Sequence, residues 1–240
     1  MSEQDSFIQG LRSSRLRQLK LLDPARVYNK EILIVGAGNV GSWTSMWLAK
    51  MGFLTIKAID FDKVELHNTG SQIYGINELG NYKTIALGKR LLADCPELLF
   101  TSYARAFEST DLRGSAIVVM SVDSMATRRQ IVESYKAEDS VELFVDSRVG
   151  RYMIRVIAFK PEEISWYLNS TWFEDSSAED IPCGEQSIID VQAFASGFVA
   201  RQVRRFMTTG SVDRDLIFDV DNLGLITNLE FLSPIKGVEI

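Results

Sequence analysis

Short apolar runs alternate with amphipathic stretches along this chain, the pattern of strands buried between helices. Glu31 to Val35 reads as a buried strand that runs straight into Gly36-Ala37-Gly38-Asn39-Val40-Gly41. Val40 to Met51 follows as an apolar helix with Trp43 and Trp47 four apart, Gly52 stops it, and Leu54 to Ile59 is the next strand. The expected unit is strand, helix and parallel strand with a right-handed crossover. Further on, the pattern predicts a helix from Tyr82 to Leu92, a strand from Leu98 to Ala104, a strong strand from Ser115 to Val122, a helix from Ala126 to Lys136 and a strand from Val141 to Val145.

After Arg148 the pattern changes. Tyr152 to Phe159 alternates as an antiparallel strand does, and Pro161 to Pro182, polar, aromatic and acidic, has no clear period and reads as a long mobile loop. Helical spacing returns from Ile189 to Met207, and short strands from Leu216 to Val220 and Leu225 to Leu229 follow. At the other end, residues 1–30 carry Leu16, Leu19 and Leu22 at helical spacing and read as a helix lying on the domain, stopped near Asp23-Pro24. The expected fold class is α/β: a Rossmann-like, doubly wound, mainly parallel sheet with antiparallel C-terminal strands, in one domain over residues 1–240.

Composition narrows the partners. With 240 residues, 46% hydrophobic and 24% charged, the chain suits one sizeable core with little room for a second domain. A net charge of -6 argues against general nucleic-acid binding, since a phosphate backbone needs an excess of Lys and Arg. Cys95, Cys183 and His67 are too few for a disulfide scaffold or a four-ligand zinc site, so a cytoplasmic protein without zinc is expected. No apolar stretch approaches the roughly 20 residues of a membrane span.

The glycine turn carries the chemistry. Gly36, Gly38 and Gly41 between a strand and a helix let the backbone approach a phosphate, and the helix start offers free N–H groups and a positive dipole end. Read alone, with Asp60 closing the second strand, the turn fits an NAD-binding fold. More residues bear on the choice of nucleotide: Asp60 and Asp62, then His67-Asn68, then Gly80-Asn81-Tyr82-Lys83, then Asp123 ahead of a helix. Each also has a structural reading, Asp60 and Asp123 as strand-end or helix-capping acids and Lys83 as a solvated lysine in a first helical turn.

Together, in this order and spacing, these motifs resemble the E1-like activating enzymes, the ThiF/MoeB/HesA family, over about residues 12 to 207. The resemblance implies an ATP- and magnesium-dependent adenylyltransferase acting on the C-terminal carboxylate of a small ubiquitin-like or sulfur-carrier protein, as a homodimer. It implies that Gly36, Gly38, Asn39, Gly41 and Asp62 meet the nucleotide, Asp60 binds the ribose, Asn68 and Lys83 face the phosphates, and Asp123 holds magnesium. Relatives that adenylate a peptide or a modified tRNA nucleoside, and a non-catalytic nucleotide-binding scaffold, are the competing readings. An NAD-dependent dehydrogenase explains neither Asn68, Lys83 nor Asp123.

Departures from the family pattern matter too. Ser71 stands where an arginine is expected, and Arg148 is a candidate to supply that charge from another direction. Arg17-Gln18 resembles the Arg-Gln that reaches a partner's site in homodimers, with a plain surface arginine as the alternative. The two Cys-x-x-Cys pairs that hold structural zinc in many members are absent, with Ser165-Trp166-Tyr167-Leu168-Asn169 near the place of the first. Cys183, in a crossover loop over residues 161–188, resembles a cysteine that in some members accepts the activated acyl group or sulfur; the alternative is buried filler. Cys95 reads as structural, and His67 as a residue that positions backbone rather than a base.

Overall fold

The computed structural model describes residues 2–137, 139–174 and 188–227. Its strands and helices are α1 (Glu3–Ser14), β1 (Glu31–Val35), α2 (Asn39–Met51), β2 (Thr55–Ile59), α3 (Lys83–Asp94), β3 (Leu99–Tyr103), β4 (Ile117–Met120), α4 (Met125–Glu133), β5 (Leu143–Gly150), β6 (Met153–Phe159), α5 (Ile164–Ser170), α6 (Ile189–Thr209), β7 (Asp215–Asp219) and β8 (Gly224–Thr227).

The strands form one eight-stranded sheet in the order β3-β2-β1-β4-β5-β6-β7-β8. Pairings from β3 through β5 are parallel, and those from β5 to β8 are antiparallel, as the sequence pattern predicts. The central strands are apolar on both sides because both faces are covered. One face packs on α2, α3 and α6 through Met46, Leu87, Leu91, Val199 and Val203; the other packs on α4 and α5 through Ile131, Val132 and Tyr167. No helix among the described residues is long and apolar enough to cross a membrane.

Three segments differ from the sequence expectation. The N-terminal helix ends at Ser14 instead of running toward Asp23, because Arg15 leaves helical geometry and turns its guanidinium onto the Ala49 and Lys50 carbonyls at the C-terminal end of α2. Both carbonyls lie in the last turn of α2, where the negative end of the helix dipole favours a cation, and the Ala49 carbonyl also accepts the N–H of the capping Gly52. Strand β5 extends to Gly150, which brings Arg148 into the sheet, and a tight turn with Arg151 at φ +50° joins it to β6. The segment expected to be a mobile loop contains α5, whose buried Tyr167 stacks 4.4 Å from Phe159. A helix of seven residues is too short to display a period, so packing rather than pattern selects it.

Candidate functional site

The chain winds from β1 outward through β2 to β3, then returns to β4 on the other side of β1. The C-terminal ends of β1 and β4 therefore part at the point where an open α/β sheet receives ligands. Gly36 follows β1 with φ +91°, and a Cβ there would stand 2.3 Å from the Ser121 carbonyl oxygen beyond β4. At Gly41 a Cβ would stand 1.9 Å from the Gly36 carbonyl oxygen, so α2 approaches the turn as closely as backbone allows. Gly38 differs: a Cβ there meets nothing within 4 Å. It is the residue before α2, with no side-chain cap on the helix, so the space in front of the first-turn N–H groups stays open to an anion.

Everything around Gly38 is tied down. The Gly36 N–H donates to the Ile59 carbonyl at 2.8 Å, and the Ala37 N–H donates to Asp60 Oδ2 at 2.7 Å. The buried Tyr74 hydroxyl donates to the Ala37 carbonyl at 2.7 Å. Burial, reinforced by the charges of Asp60 and Glu78, pushes the Tyr74 phenol well above its ordinary range, so it stays a donor. Ser71 Oγ donates to Asn39 Oδ1 at 3.0 Å, and the Trp43 indole donates to the Ser71 carbonyl at 3.0 Å. Sequence reasoning missed Tyr74; the signal was an aromatic residue inside a loop otherwise rich in Asn and Gly.

Asp60 sits at the end of β2 with both oxygens accepting backbone N–H groups, the second from Asp62 at 2.8 Å. Burial pushes its carboxyl above the ordinary carboxylate range, against those hydrogen bonds and the charge of Lys83. Lys83 opens α3 and its ammonium donates to Asp62 Oδ2 at 2.7 Å, with the lysine side chain 9% exposed and the carboxylate 51%. Asn68 is buried, and its Oδ1 accepts from the Glu65 N–H at 2.8 Å, closing a short 3-10 turn. The loop after β2 thus brings Asp60, Asp62, Asn68 and Lys83 to one side of the glycine turn.

Across the crevice, Asp123 follows β4. The cap of α4 is the next residue, Ser124, whose hydroxyl accepts from the Thr127 N–H, so Asp123 is not the helix cap. Its side chain is exposed and has no hydrogen bond or ion pair among the described residues. Behind it lies a network that sequence reasoning did not assign. Asp146, fully buried in β5, accepts from Arg128 Nε at 2.7 Å, from Arg148 Nε at 2.8 Å and from the Tyr167 hydroxyl at 2.9 Å. Burial acts to raise the Asp146 carboxyl, and the two guanidiniums outweigh it and hold it below the usual range.

Arg148 also donates to the Thr171 carbonyl at 2.6 Å and lies over the rings of Tyr167 and Phe173. Its guanidinium is therefore engaged inside the chain, sharing Asp146 with Arg128, rather than left open in the crevice. Arg17 is exposed in the turn after α1, whose neighbours Arg15 and Gln18 hold the Lys50 carbonyl. That turn lies at the far end of α2 from Gly38, about 20 Å away along a 13-residue helix. The structure does not bring Arg17 to this chain's own crevice. Cys183 lies outside the described residues. Cys95 is buried, and burial pushes its thiol up, which makes it a poor nucleophile.

The ThiF family profile matches residues 12–211. Ubiquitin-like modifier-activating enzyme 5 of Drosophila grimshawi is 25% identical over 189 residues, which is 76% of this chain and 44% of that protein. The sulfur carrier protein ThiS adenylyltransferase of Escherichia coli strain K12 is 26% identical over 136 residues, 55% of this chain and 54% of that protein. The chain spans about a third to a half of the length of the curated relatives it matches. Among solved structures, E. coli MccB with AMPCPP and MccA superposes with a TM-score of 0.67 at 19% identity, covering 88% of this chain and 67% of that one; at this identity the likeness is one of fold.

Proposed function

This chain belongs to the ThiF family, and from that premise we propose that it is an ATP-dependent adenylyltransferase that activates the C-terminal carboxylate of a ubiquitin-like or sulfur-carrier protein. The observation that carries the reading is the open space at Gly38 before the uncapped start of α2, in a turn that Asp60 ties to the loop leading to Asp62 and Lys83. The helix start and Lys83 offer positive charge to a chain of phosphates, and Asp123 joins them through a bound cation.

In this reading the first turn of α2 and Lys83 meet the triphosphate, and Asp60 accepts from the ribose hydroxyls with the lone pairs its two backbone donors leave free. The acceptor's carboxylate supplies the electron pair that forms the new bond to the α-phosphorus. The bond from that phosphorus to the bridging oxygen breaks, and pyrophosphate leaves with the electrons. A carboxylate nucleophile has no proton to lose, so this chemistry needs no histidine base.

Asp123 is the residue that would hold magnesium. Magnesium is bound through one or two carboxylates and completes its shell with water and substrate phosphates, so an unpaired carboxylate beside the phosphate space fits without a larger cluster. When bound, the ion offsets charge on the leaving group. In this reading a cytosolic homodimer forms and Arg17, exposed and remote from its own crevice, serves the second subunit.

A second reading keeps the nucleotide and changes the acceptor to a peptide, since MccB, similar in fold, was captured with both AMPCPP and MccA. ATP–pyrophosphate exchange separates the two. Exchange that depends on a small protein ending in Gly-Gly supports the main reading, exchange with short peptides alone supports the second, and nucleotide binding without exchange for any acceptor contradicts both.

A further inference from the structure

We infer that Ser71 is a positioning residue for the triphosphate, acting through Asn39. This rests on the adenylyltransferase reading and deepens it. The Ser71 hydroxyl has one proton, and it gives that proton to Asn39 Oδ1 at 3.0 Å. It therefore has none to offer a phosphate while the pair stands. What it does instead is fix which end of the Asn39 amide faces outward: with Oδ1 taken, Nδ2 and its two N–H groups are turned away from Ser71.

Both members of the pair are held rigidly. Asn39 is the first residue of α2, next to the open space at Gly38, and is half-buried. Ser71 ends the 3-10 turn that Asn68 closes: its N–H donates to the Asn68 carbonyl, and its own carbonyl accepts from the Trp43 indole at 3.0 Å. Trp43 lies four residues beyond Asn39, on the same side of α2, and stacks on Trp47. The loop after β2 and the first turn of α2 are thus stapled at Ser71. Among the described residues Nδ2 of Asn39 has no acceptor, and it adjoins the uncapped helix start, where a phosphate oxygen would be one. A neutral amide with a fixed orientation then stands beside the phosphates, where the family resemblance leads one to expect the cation of an arginine.

The test is a double-mutant cycle read by calorimetric binding of ATP and of adenosine to the full chain, with thermal unfolding measured on every variant. Ser71→Ala and Asn39→Ala each weaken ATP binding about fivefold, the range of one neutral hydrogen bond, and the double variant is no weaker than Asn39→Ala alone. Ser71→Thr, which keeps the hydroxyl, restores ATP binding. Adenosine has no phosphate, so its affinity stays at the parent value throughout. Parent-like ATP binding by Ser71→Ala, additive losses in the double variant, or an equal loss of adenosine binding overturns the role, the last by showing a merely structural staple. A parent chain that binds neither ligand overturns the adenylyltransferase reading itself, and this role with it.

Discussion

Arg128 donates to the main-chain carbonyl of Asp123 at 3.0 Å while its Nε donates to the buried carboxylate of Asp146 at 2.7 Å. The acid that faces the crevice is thereby anchored through its backbone to an ion pair in the sheet, and its side chain stays free. The same carboxylate binds Arg148, which holds the segment after α5 by the Thr171 carbonyl. One buried charge thus joins the strand, the start of α4 and the segment leading into the crossover loop.

Removing the shared carboxylate of this network strands buried charge. Asp146→Leu leaves the guanidiniums of Arg128 and Arg148 without it and is expected to lower folding stability by about 3–5 kcal/mol, the usual consequence of leaving one side of a buried ion pair unpaired. An exposed control, Arg129→Met, removes an i,i+4 pair with Glu133 and a cation–π contact with Trp172 and is expected to cost about 1 kcal/mol. Urea unfolding of the two variants measures the contrast.

The pH dependence of stability has a definite sign at Asp146. Its carboxyl lies below the ordinary range when folded, so the unfolded chain binds the proton more readily. Its contribution is complete above the ordinary carboxyl pKa and is lost as pH falls through the folded-state value. The parent is therefore expected to lose stability more steeply than Asp146→Asn below about pH 4, as read by unfolding free energies on an acid series.

The glycines of the turn separate structure from binding. Gly41→Ala forces a Cβ against the Gly36 carbonyl and is expected to cost about 3 kcal/mol of stability, the upper end for overpacking. Gly38→Ala places its methyl in open space, so folding changes by at most about 1 kcal/mol, as for the loss of a glycine cap. Nucleotide affinity of this second variant falls on the order of tenfold or more, because the methyl occupies the phosphate space. Unfolding and binding measured on both variants decide the matter.

Much of this arrangement was legible in the sequence, for identifiable reasons. The glycine turn, Asp60, Asp62, Asn68, Lys83 and Asp123 declare themselves because backbone approach and charge select residue types at fixed spacing, and the strands between them are apolar on both faces. The roles of Tyr74 and Arg128 were not legible, although Tyr74 stands out as an aromatic residue in its loop, since each acts on a backbone carbonyl brought near only by the fold. The end of α1 and the presence of α5 were missed for a related reason. Arg15 finds its acceptors 34 and 35 residues away, and α5 is set by Tyr167 packing on Phe159 rather than by a repeating pattern.

On the catalytic side, Lys83→Met and Asp123→Asn are each expected to lower the exchange rate on the order of a hundredfold, the scale of losing one charge that stabilises a phosphoryl transition state. Asp123→Asn leaves the unfolding midpoint unchanged, because its exposed carboxylate pairs with nothing in the described fold. Raising magnesium partly rescues Asp123→Asn and does nothing for Lys83→Met; a magnesium titration of the exchange rate checks this.

Label transfer tests the central claim most directly. The chain is incubated with magnesium, a small protein ending in Gly-Gly, and ATP carrying a radiolabel at either the α- or the γ-phosphorus, and the acceptor is then isolated in acid. Adenylation places the α-label on the acceptor and the γ-label in pyrophosphate. Label on the acceptor from the γ-position, or from neither position while ATP remains bound, contradicts the account.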